Sequence, residues 1–211
     1  MGLLGRAGRG DHTIGLGGAI DHGLASFLGA AVKARKQLMI AGATGAGKTT
    51  MLRALASQIP PEERIVTIET ELELGLDRFP EIHPDCVALE ARQANVEGVG
   101  EITAAELVRM SLRMNPDRVI VGEVRGDEVI PMLNAMSQGN DGSMCAIHTE
   151  SSRGVFRKLA LYALQSPEPL PMGAPLQLPP AAPDRVGVIP KQNSRRLVAR
   201  PPQLTALPSQ P

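Results

Sequence analysis

The sequence has little of what nucleic-acid-binding proteins usually need. It has no tryptophan, aromatic residues make up 2% of its 211 residues, and its formal net charge at pH 7 is zero. Surfaces that bind nucleic acid depend on excess positive charge and on aromatic rings that stack against bases. The composition therefore predicts no direct contact with nucleic acid.

Long apolar runs and paired cysteine motifs are also missing. No apolar run approaches the ~18 residues that a membrane-spanning helix needs, and the first residues lack the apolar segment of a secretory signal. The two cysteines, Cys86 and Cys145, lie far apart without Cys-x-x-Cys spacing. We therefore expect reduced, buried thiols in a cytoplasmic protein without a membrane span.

Composition and periodicity divide the chain into three parts. Residues 1–18 are rich in glycine and lack periodicity, which predicts a flexible lead-in. Residues 19–165 alternate strand-like and helical patterns, which predicts an α/β domain with a mostly parallel sheet flanked by helices. Residues 166–211 hold 12 of the 18 prolines and one strand-like fragment, residues 186–189, so this tail is expected to be mostly disordered.

The most specific motif is a glycine-rich segment between an apolar run and a helical pattern. Gly42, Gly47, Lys48 and Thr49 fill the fixed positions of the phosphate loop, or Walker A motif, Gly-x4-Gly-Lys-[Ser/Thr]. Its backbone amides and the following helix N-terminus attract phosphate, the lysine reaches the outer phosphates, and the threonine hydroxyl binds Mg²⁺. The predicted nucleotide-binding residues are Gly42, Ala43, Thr44, Gly45, Ala46, Gly47, Lys48, Thr49 and Thr50.

Three further strand-like runs end in side chains suited to phosphate chemistry, namely Glu69, Glu123 and His148. Ligands of parallel α/β sheets bind beyond the carboxyl ends of the strands, so these residues are expected beside the triphosphate. A single such residue is more often a solvated acid or a hydrogen-bonded histidine. Three of them at the ligand edge favour a catalytic role.

Local signals place the other elements. Asp21 is predicted to cap a first helix, and Thr103 with Glu106 to form a capping box on a helix that ends near Met114. Besides the strand that precedes the phosphate loop, strands are predicted at residues 64–69, 86–90, 118–123 and 143–148, and helices at residues 127–137 and 153–164.

Four ordered segments resemble the type II/type IV secretion ATPases, in particular the Flp/Tad pilus-assembly branch. Residues 107–126 are similar to the atypical Walker B region of that family, and residues 142–148 to its His box. Residues 65–69 resemble the start of its Asp box, and residues 92–100 its linking segment. The resemblance covers about residues 20–165. It implies a RecA-like domain that works as a ring, usually a hexamer, and couples ATP hydrolysis to movement of pilus or secretion machinery.

The resemblance implies a role for each matching residue. Lys48 and Thr49 would hold the phosphates and Mg²⁺ of ATP. Glu123 would act as the Walker B acid that orders the Mg²⁺ shell or the attacking water, Glu69 would polarise that water, and His148 would contact the terminal phosphate. A neighbouring subunit would supply an arginine, unless the candidates form salt bridges within the chain. The candidates are Arg92, Arg109, Arg113 and Arg125.

The resemblance also implies partners, a location and some missing parts. Copies of the chain or full-length homologues would form the ring, on a platform protein at the inner face of the cell membrane. Thr70 stands where the family has aspartate, and Thr149–Glu150 where it has Ala-Asn. The N-terminal domain, the last strand and the C-terminal helices of the family are not recognised, so we expect a chain truncated at both ends. Residues 38–41 would then lie on an exposed sheet edge.

Functions from different classes stay open on the sequence. The first is an ATP-hydrolysing subunit of a secretion or pilus motor. The second is a nucleotide-binding remnant with little turnover, which interacts with full-length subunits. A conjugation-type DNA-transport ATPase is a third function, which the neutral charge disfavours.

Overall fold

A six-stranded parallel sheet forms the centre of the protein. The computed structural model describes residues 20, 22–137, 139–149, 151–166 and 185–189. The strands are β1 (Leu38–Gly42), β2 (Ile65–Glu69), β3 (Cys86–Glu90), β4 (Arg118–Val124), β5 (Met144–His148) and β6 (Arg185–Ile189). The helices are α1 (His22–Lys33), α2 (Lys48–Ala56), α3 (Ala104–Ser111), α4 (Val129–Ser137) and α5 (Ser152–Gln165). The spatial order of the strands is β3-β2-β4-β5-β1-β6, so the predicted α/β class with a parallel sheet is confirmed.

Alternating side chains of the strands build a separate core on each face of the sheet. Leu38 and Ile40 of β1 pack with α1 and α2, whereas Met39 and Ala41 pack with the helices of the opposite face. On that opposite face lie Val108 of α3, Met132 of α4 and Leu159 of α5, all almost fully buried. Because β1 is buried on both sides, the phosphate loop that follows it starts from a fixed point.

The predicted capping box at the start of α3 is confirmed. The Thr103 hydroxyl accepts a hydrogen bond from the Glu106 amide at 3.2 Å, and the Glu106 carboxylate accepts one from the Thr103 amide at 2.8 Å. The helix tightens into a 3-10 turn over Leu112–Met114 and stops at Asn115, whose φ is 53°. Asp21, the predicted cap of α1, lies outside the described residues.

The expectation of an exposed β1 edge is wrong. Strand β6 pairs with β1 in parallel along its whole length, from Leu38 opposite Arg185 to Gly42 opposite Ile189. The strand-like fragment of residues 186–189 therefore supplies the neighbour that β1 was expected to lack. The proline content of residues 166–211 obscured this pairing, since only five consecutive residues form the strand. Apart from Ser166 and β6, the predicted disordered tail lies outside the described residues, as does the lead-in of residues 1–18.

A buried ion pair ties the amino-terminal end of β4 to the rest of the fold. The Arg118 guanidinium is fully buried and meets Glu63 at two points, with Nε to Oε2 and Nη2 to Oε1 each 2.8 Å apart. Its Nη1 donates to the Val32 carbonyl at 2.9 Å and the Gly142 carbonyl at 3.3 Å. A buried arginine needs such full pairing. The pair lies at the end of the sheet opposite the phosphate loop.

Both cysteines are free thiols, as expected, with Cys145 buried and Cys86 partly buried. Burial, with the nearby acids, raises the pKa of the Cys86 thiol to about 11, so it stays protonated at neutral pH. Among the described residues, no helix is long and apolar enough to cross a membrane.

Candidate active site

A polar cavity of about 480 Å³ lies at the carboxyl edge of the sheet. All four strand-end features predicted from the sequence meet there, because the phosphate loop, Glu69, Glu123 and His148 lie at the same edge of the parallel strands. The lining residues are Thr44, Gly45, Lys48, Thr49, Glu69, Thr70, Glu71, Glu73, Gly122, Glu123, Arg125 and His148.

The phosphate loop has the backbone form that its glycines permit. Gly45 and Gly47 have φ angles of 74° and 93°, in the left-handed region that favours glycine. Gly47 is the N-cap of α2, so the positive end of that helix faces the cavity. The Lys48 ammonium donates to the Ala43 carbonyl at 3.3 Å and lies 3.4 Å from the Glu123 carboxylate. The loop therefore offers one lysine and the positive end of α2 to an anion.

Glu123 lies between two cations. Lys48 approaches its Oε1, while Arg125 donates to its Oε2 from Nε at 2.7 Å and from Nη2 at 2.6 Å. Partial burial would raise the pKa of Glu123, but the Arg125 hydrogen bond and the charges of Lys48 and Arg125 outweigh it and lower that pKa. The carboxylate therefore stays ionised at neutral pH. The alternative that Arg125 forms a salt bridge within the chain is confirmed.

Glu69 is buried, and its contacts are with backbone. Its Oε2 accepts hydrogen bonds from the amides of Glu73 at 3.0 Å and Leu74 at 2.9 Å. Burial raises the pKa of this carboxyl, against the lowering effect of those two amides. Gly122 leaves room for it, because a Cβ there would lie 2.9 Å from the Glu69 Cγ. This placement favours Glu69 as a support of the loop after β2, while the predicted role in polarising water stays a prediction.

Glu73 is a site residue that the sequence analysis missed. Its Oε2 accepts a hydrogen bond from the Thr49 hydroxyl at 3.1 Å, on the group predicted to bind Mg²⁺. The sequence shows only that Glu71 and Glu73 follow the strand-end Glu69 at alternate positions, and this spacing does not indicate a contact with Thr49.

His148 contacts the phosphate loop through a hydrogen bond. The Thr44 hydroxyl and the His148 Nδ1 lie 3.2 Å apart. The His148 carbonyl accepts a hydrogen bond from the Lys158 ammonium of α5 at 2.6 Å. The imidazole thus lies at the cavity wall against the phosphate loop, while the backbone of the same residue is held by α5.

The donor set suits Mg²⁺ held together with a nucleotide. The Thr49 hydroxyl and the carboxylates of Glu73 and Glu123 are hard oxygen ligands of the kind that Mg²⁺ prefers. In the described part of the chain, no three acidic, histidine or cysteine side chains form a group that could hold a metal alone. Mg²⁺ commonly binds through one or two carboxylates plus substrate phosphates, so this set fits.

Comparison with known proteins places the chain in a family. The model of the family described as "Type II/IV secretion system protein" matches residues 14–168, a span that contains the phosphate loop and every residue lining the cavity. The chain belongs to this family. A putative conjugal transfer protein of Mycobacterium tuberculosis strain H37Rv is 46% identical over 148 residues, which are 70% of this chain and 41% of that protein.

Two further comparisons agree. The type IV secretion system protein VirB11 of Brucella suis is 40% identical over 142 residues, covering 67% of this chain and 38% of VirB11. The crystal structure of the VirB11 ATPase from the Brucella suis type IV secretion system, in complex with sulphate, superposes with a TM-score of 0.67. That match has 36% identity and covers 79% of this chain and 46% of VirB11. The chain thus spans less than half the length of these relatives.

Proposed function

We propose that this chain is the ATP-binding and ATP-hydrolysing part of a secretion or pilus-assembly motor subunit. The observation that carries the proposal is the meeting of Lys48, Thr49, Glu123 and His148 with the phosphate loop in one cavity. Family membership supports it, as does the likeness to the VirB11 ATPase of Brucella suis. The substrate would be ATP, with Mg²⁺ as cofactor.

Binding of ATP would begin with the phosphate loop. Its amides and the N-terminus of α2 stabilise the negative charge of the phosphates. Lys48 exchanges its contact with Glu123 for a contact with the outer phosphates. Mg²⁺, when bound, neutralises phosphate charge. Thr49, Glu73 and Glu123 would hold it, because all three line the cavity and the Thr49 hydroxyl donates to Glu73. We assign Mg²⁺ contact to Thr49, Glu73 and Glu123, with water between Glu123 and the metal as one arrangement.

Hydrolysis needs an attacking water in line with the terminal phosphate and donors for the charge that develops. Glu123 is ionised and faces the cavity, so it is placed to orient that water or a water bound to the metal. His148, beside Thr44, is placed to sense whether the loop is occupied. Glu69 contributes by holding the loop that carries Glu73.

The charge of the cavity supports action in a ring. Its lining has the carboxylates of Glu69, Glu71, Glu73 and Glu123 but only two cations, Lys48 and Arg125, and Arg125 is engaged by Glu123. A neighbouring subunit that inserts an arginine would offset this excess, and such residues raise rates by roughly 10³–10⁵ in well-studied cases. We therefore propose assembly with further copies or full-length homologues, hexameric by family resemblance, on a membrane platform protein.

An ATPase assay beside a nucleotide-binding titration tests this function. We expect tight binding of ATP with Mg²⁺, slow turnover by the chain alone, and faster turnover when a full-length homologue is added to form mixed rings. Light scattering on the same samples reports assembly. Binding without turnover, even in mixed rings, would favour a nucleotide-binding remnant, whereas no binding of ATP would contradict both functions.

A further inference from the structure

Arg53 holds the segment that carries Glu73. It lies on α2, four residues after Thr49 and thus on the same side of the helix. Its Nε donates to the Leu74 carbonyl at 2.8 Å and its Nη2 donates to the Glu73 carbonyl. The function proposed above assigns no role to this residue.

Glu69 holds the same two residues from the other side. Its Oε2 accepts the amides of Glu73 and Leu74, whose carbonyls are held by Arg53. The backbone N–H and C=O of both residues are therefore fixed, and the Leu74 side chain is almost fully buried in the core. Glu73 thus sits on a short segment with little freedom, and its carboxylate meets the Thr49 hydroxyl at 3.1 Å.

We propose that Arg53 is a positioning residue for the metal-binding end of this site. It ties Glu73 to the same helix that carries Thr49, so that the two oxygen ligands keep their spacing before a nucleotide arrives. The inference rests on the proposed function, because it assumes that Thr49 and Glu73 face Mg²⁺ and ATP. Arginine suits the task, since its planar fork can donate to two neighbouring carbonyls, whereas lysine offers one compact charge.

The test compares the full chain with its Arg53→Met variant, which keeps an unbranched stem and loses the fork. Binding of a fluorescent ATP analogue is titrated with Mg²⁺ and measured again in chelator. We expect the Mg²⁺ concentration at half-saturation to rise about tenfold, as supporting residues of metal sites typically show. Affinity in chelator should stay unchanged, because Lys48 and the loop amides are intact.

A second measurement reports directly whether Arg53 holds the backbone of Glu73 and Leu74. Hydrogen exchange of the Glu73 and Leu74 amides should become faster in Arg53→Met, without faster exchange in β1 or β4. The matched control is Arg157→Met, since Arg157 is exposed on α5 and does not line the cavity. If Arg53→Met does not fold, Arg53→Lys keeps the charge and should still raise the Mg²⁺ requirement, because it can hold only one of the carbonyls well.

A double variant separates positioning from a general loss of structure. In a Glu73→Gln background, Arg53→Met should raise the Mg²⁺ requirement no further, because the carboxylate it positions is gone. Normal binding of Mg²⁺ and ATP by the parent, with an unchanged Mg²⁺ requirement in Arg53→Met, would overturn the positioning role alone. A parent chain that binds no nucleotide would overturn the proposed function and this inference together.

Discussion

Lys48 and Glu123 lie 3.4 Å apart across the candidate site, the ammonium of one facing the carboxylate of the other. Each is therefore partly neutralised by the other while no phosphate is present. A nucleotide must compete for Lys48, and this competition leaves Glu123 with Arg125 as its remaining cationic contact. The pair thus links occupation of the phosphate loop to the surroundings of the proposed catalytic acid.

Replacing Lys48 by alanine should weaken ATP binding. The change removes a charge-assisted contact worth about 1.5–3 kcal/mol, which corresponds to a loss in affinity of about 10- to 150-fold. Titration with a fluorescent ATP analogue measures it. Lys36→Ala is the control, because Lys36 is exposed and outside the cavity. Equal affinities of Lys48→Ala and the parent would refute the assignment of the phosphate loop.

Glu123→Gln should leave ATP binding nearly intact and slow hydrolysis by about 10²–10⁴-fold, the usual range for loss of a general acid or base. The amide keeps the shape of the side chain but cannot carry the charge that orients water. Release of phosphate, measured beside the binding titration, separates the two effects. Glu97→Gln is the control on an exposed acid. Hydrolysis by Glu123→Gln at the parent rate would show that Glu123 is not the catalytic acid and would leave Glu73 or Glu69 as the candidate.

Glu69→Gln should change how stability depends on pH. Burial raises the pKa of Glu69 in the folded state, so protonation favours folding, and that contribution is lost as the pH rises above the unfolded value of about 4.3. Glutamine cannot ionise and still accepts a hydrogen bond from a backbone amide. The free energy of unfolding of the parent, relative to the variant, should therefore fall between about pH 4 and pH 7. Urea unfolding at both values measures it, and a constant difference would contradict the burial of a charged Glu69.

Proline substitutions in β6 should reveal which of its amides bond to β1. Along an edge strand alternate amides face the neighbour, so one of Val186→Pro and Gly187→Pro removes a bond of the ladder while the other is better tolerated. The harmful variant should lose about 1–3 kcal/mol of unfolding free energy, because a β1 carbonyl loses its partner. Urea unfolding compares the two, each serving as control for the other. Equal stabilities of both variants and the parent would show that β6 adds nothing in solution.

The sheet and the phosphate loop could be predicted from sequence because their signals are local. An apolar run, a glycine pattern and a capping residue each act within a few neighbouring positions, as Gly47 and Thr103 show. Glu73 and Arg53 could not be found in that way. Glu73 is 24 residues from its partner Thr49, and Arg53 is 20 and 21 residues from its partners Glu73 and Leu74. These contacts depend on how the segment after β2 folds back on α2. The pairing of β6 with β1 was missed for a related reason, since nothing in five residues among prolines shows which strand they join.

The pairing of β1 has a consequence for the order in which the protein becomes folded during synthesis. Leu38 has Met144 on one side and Arg185 on the other, so both neighbours of the phosphate-loop strand leave the ribosome long after it. Contacts so distant in sequence form slowly, and an unpaired apolar strand is prone to aggregate until they do. The nascent chain therefore carries its nucleotide-binding strand without either sheet neighbour until residues 144–148 have been made. A chaperone that shields apolar segments would act in that interval.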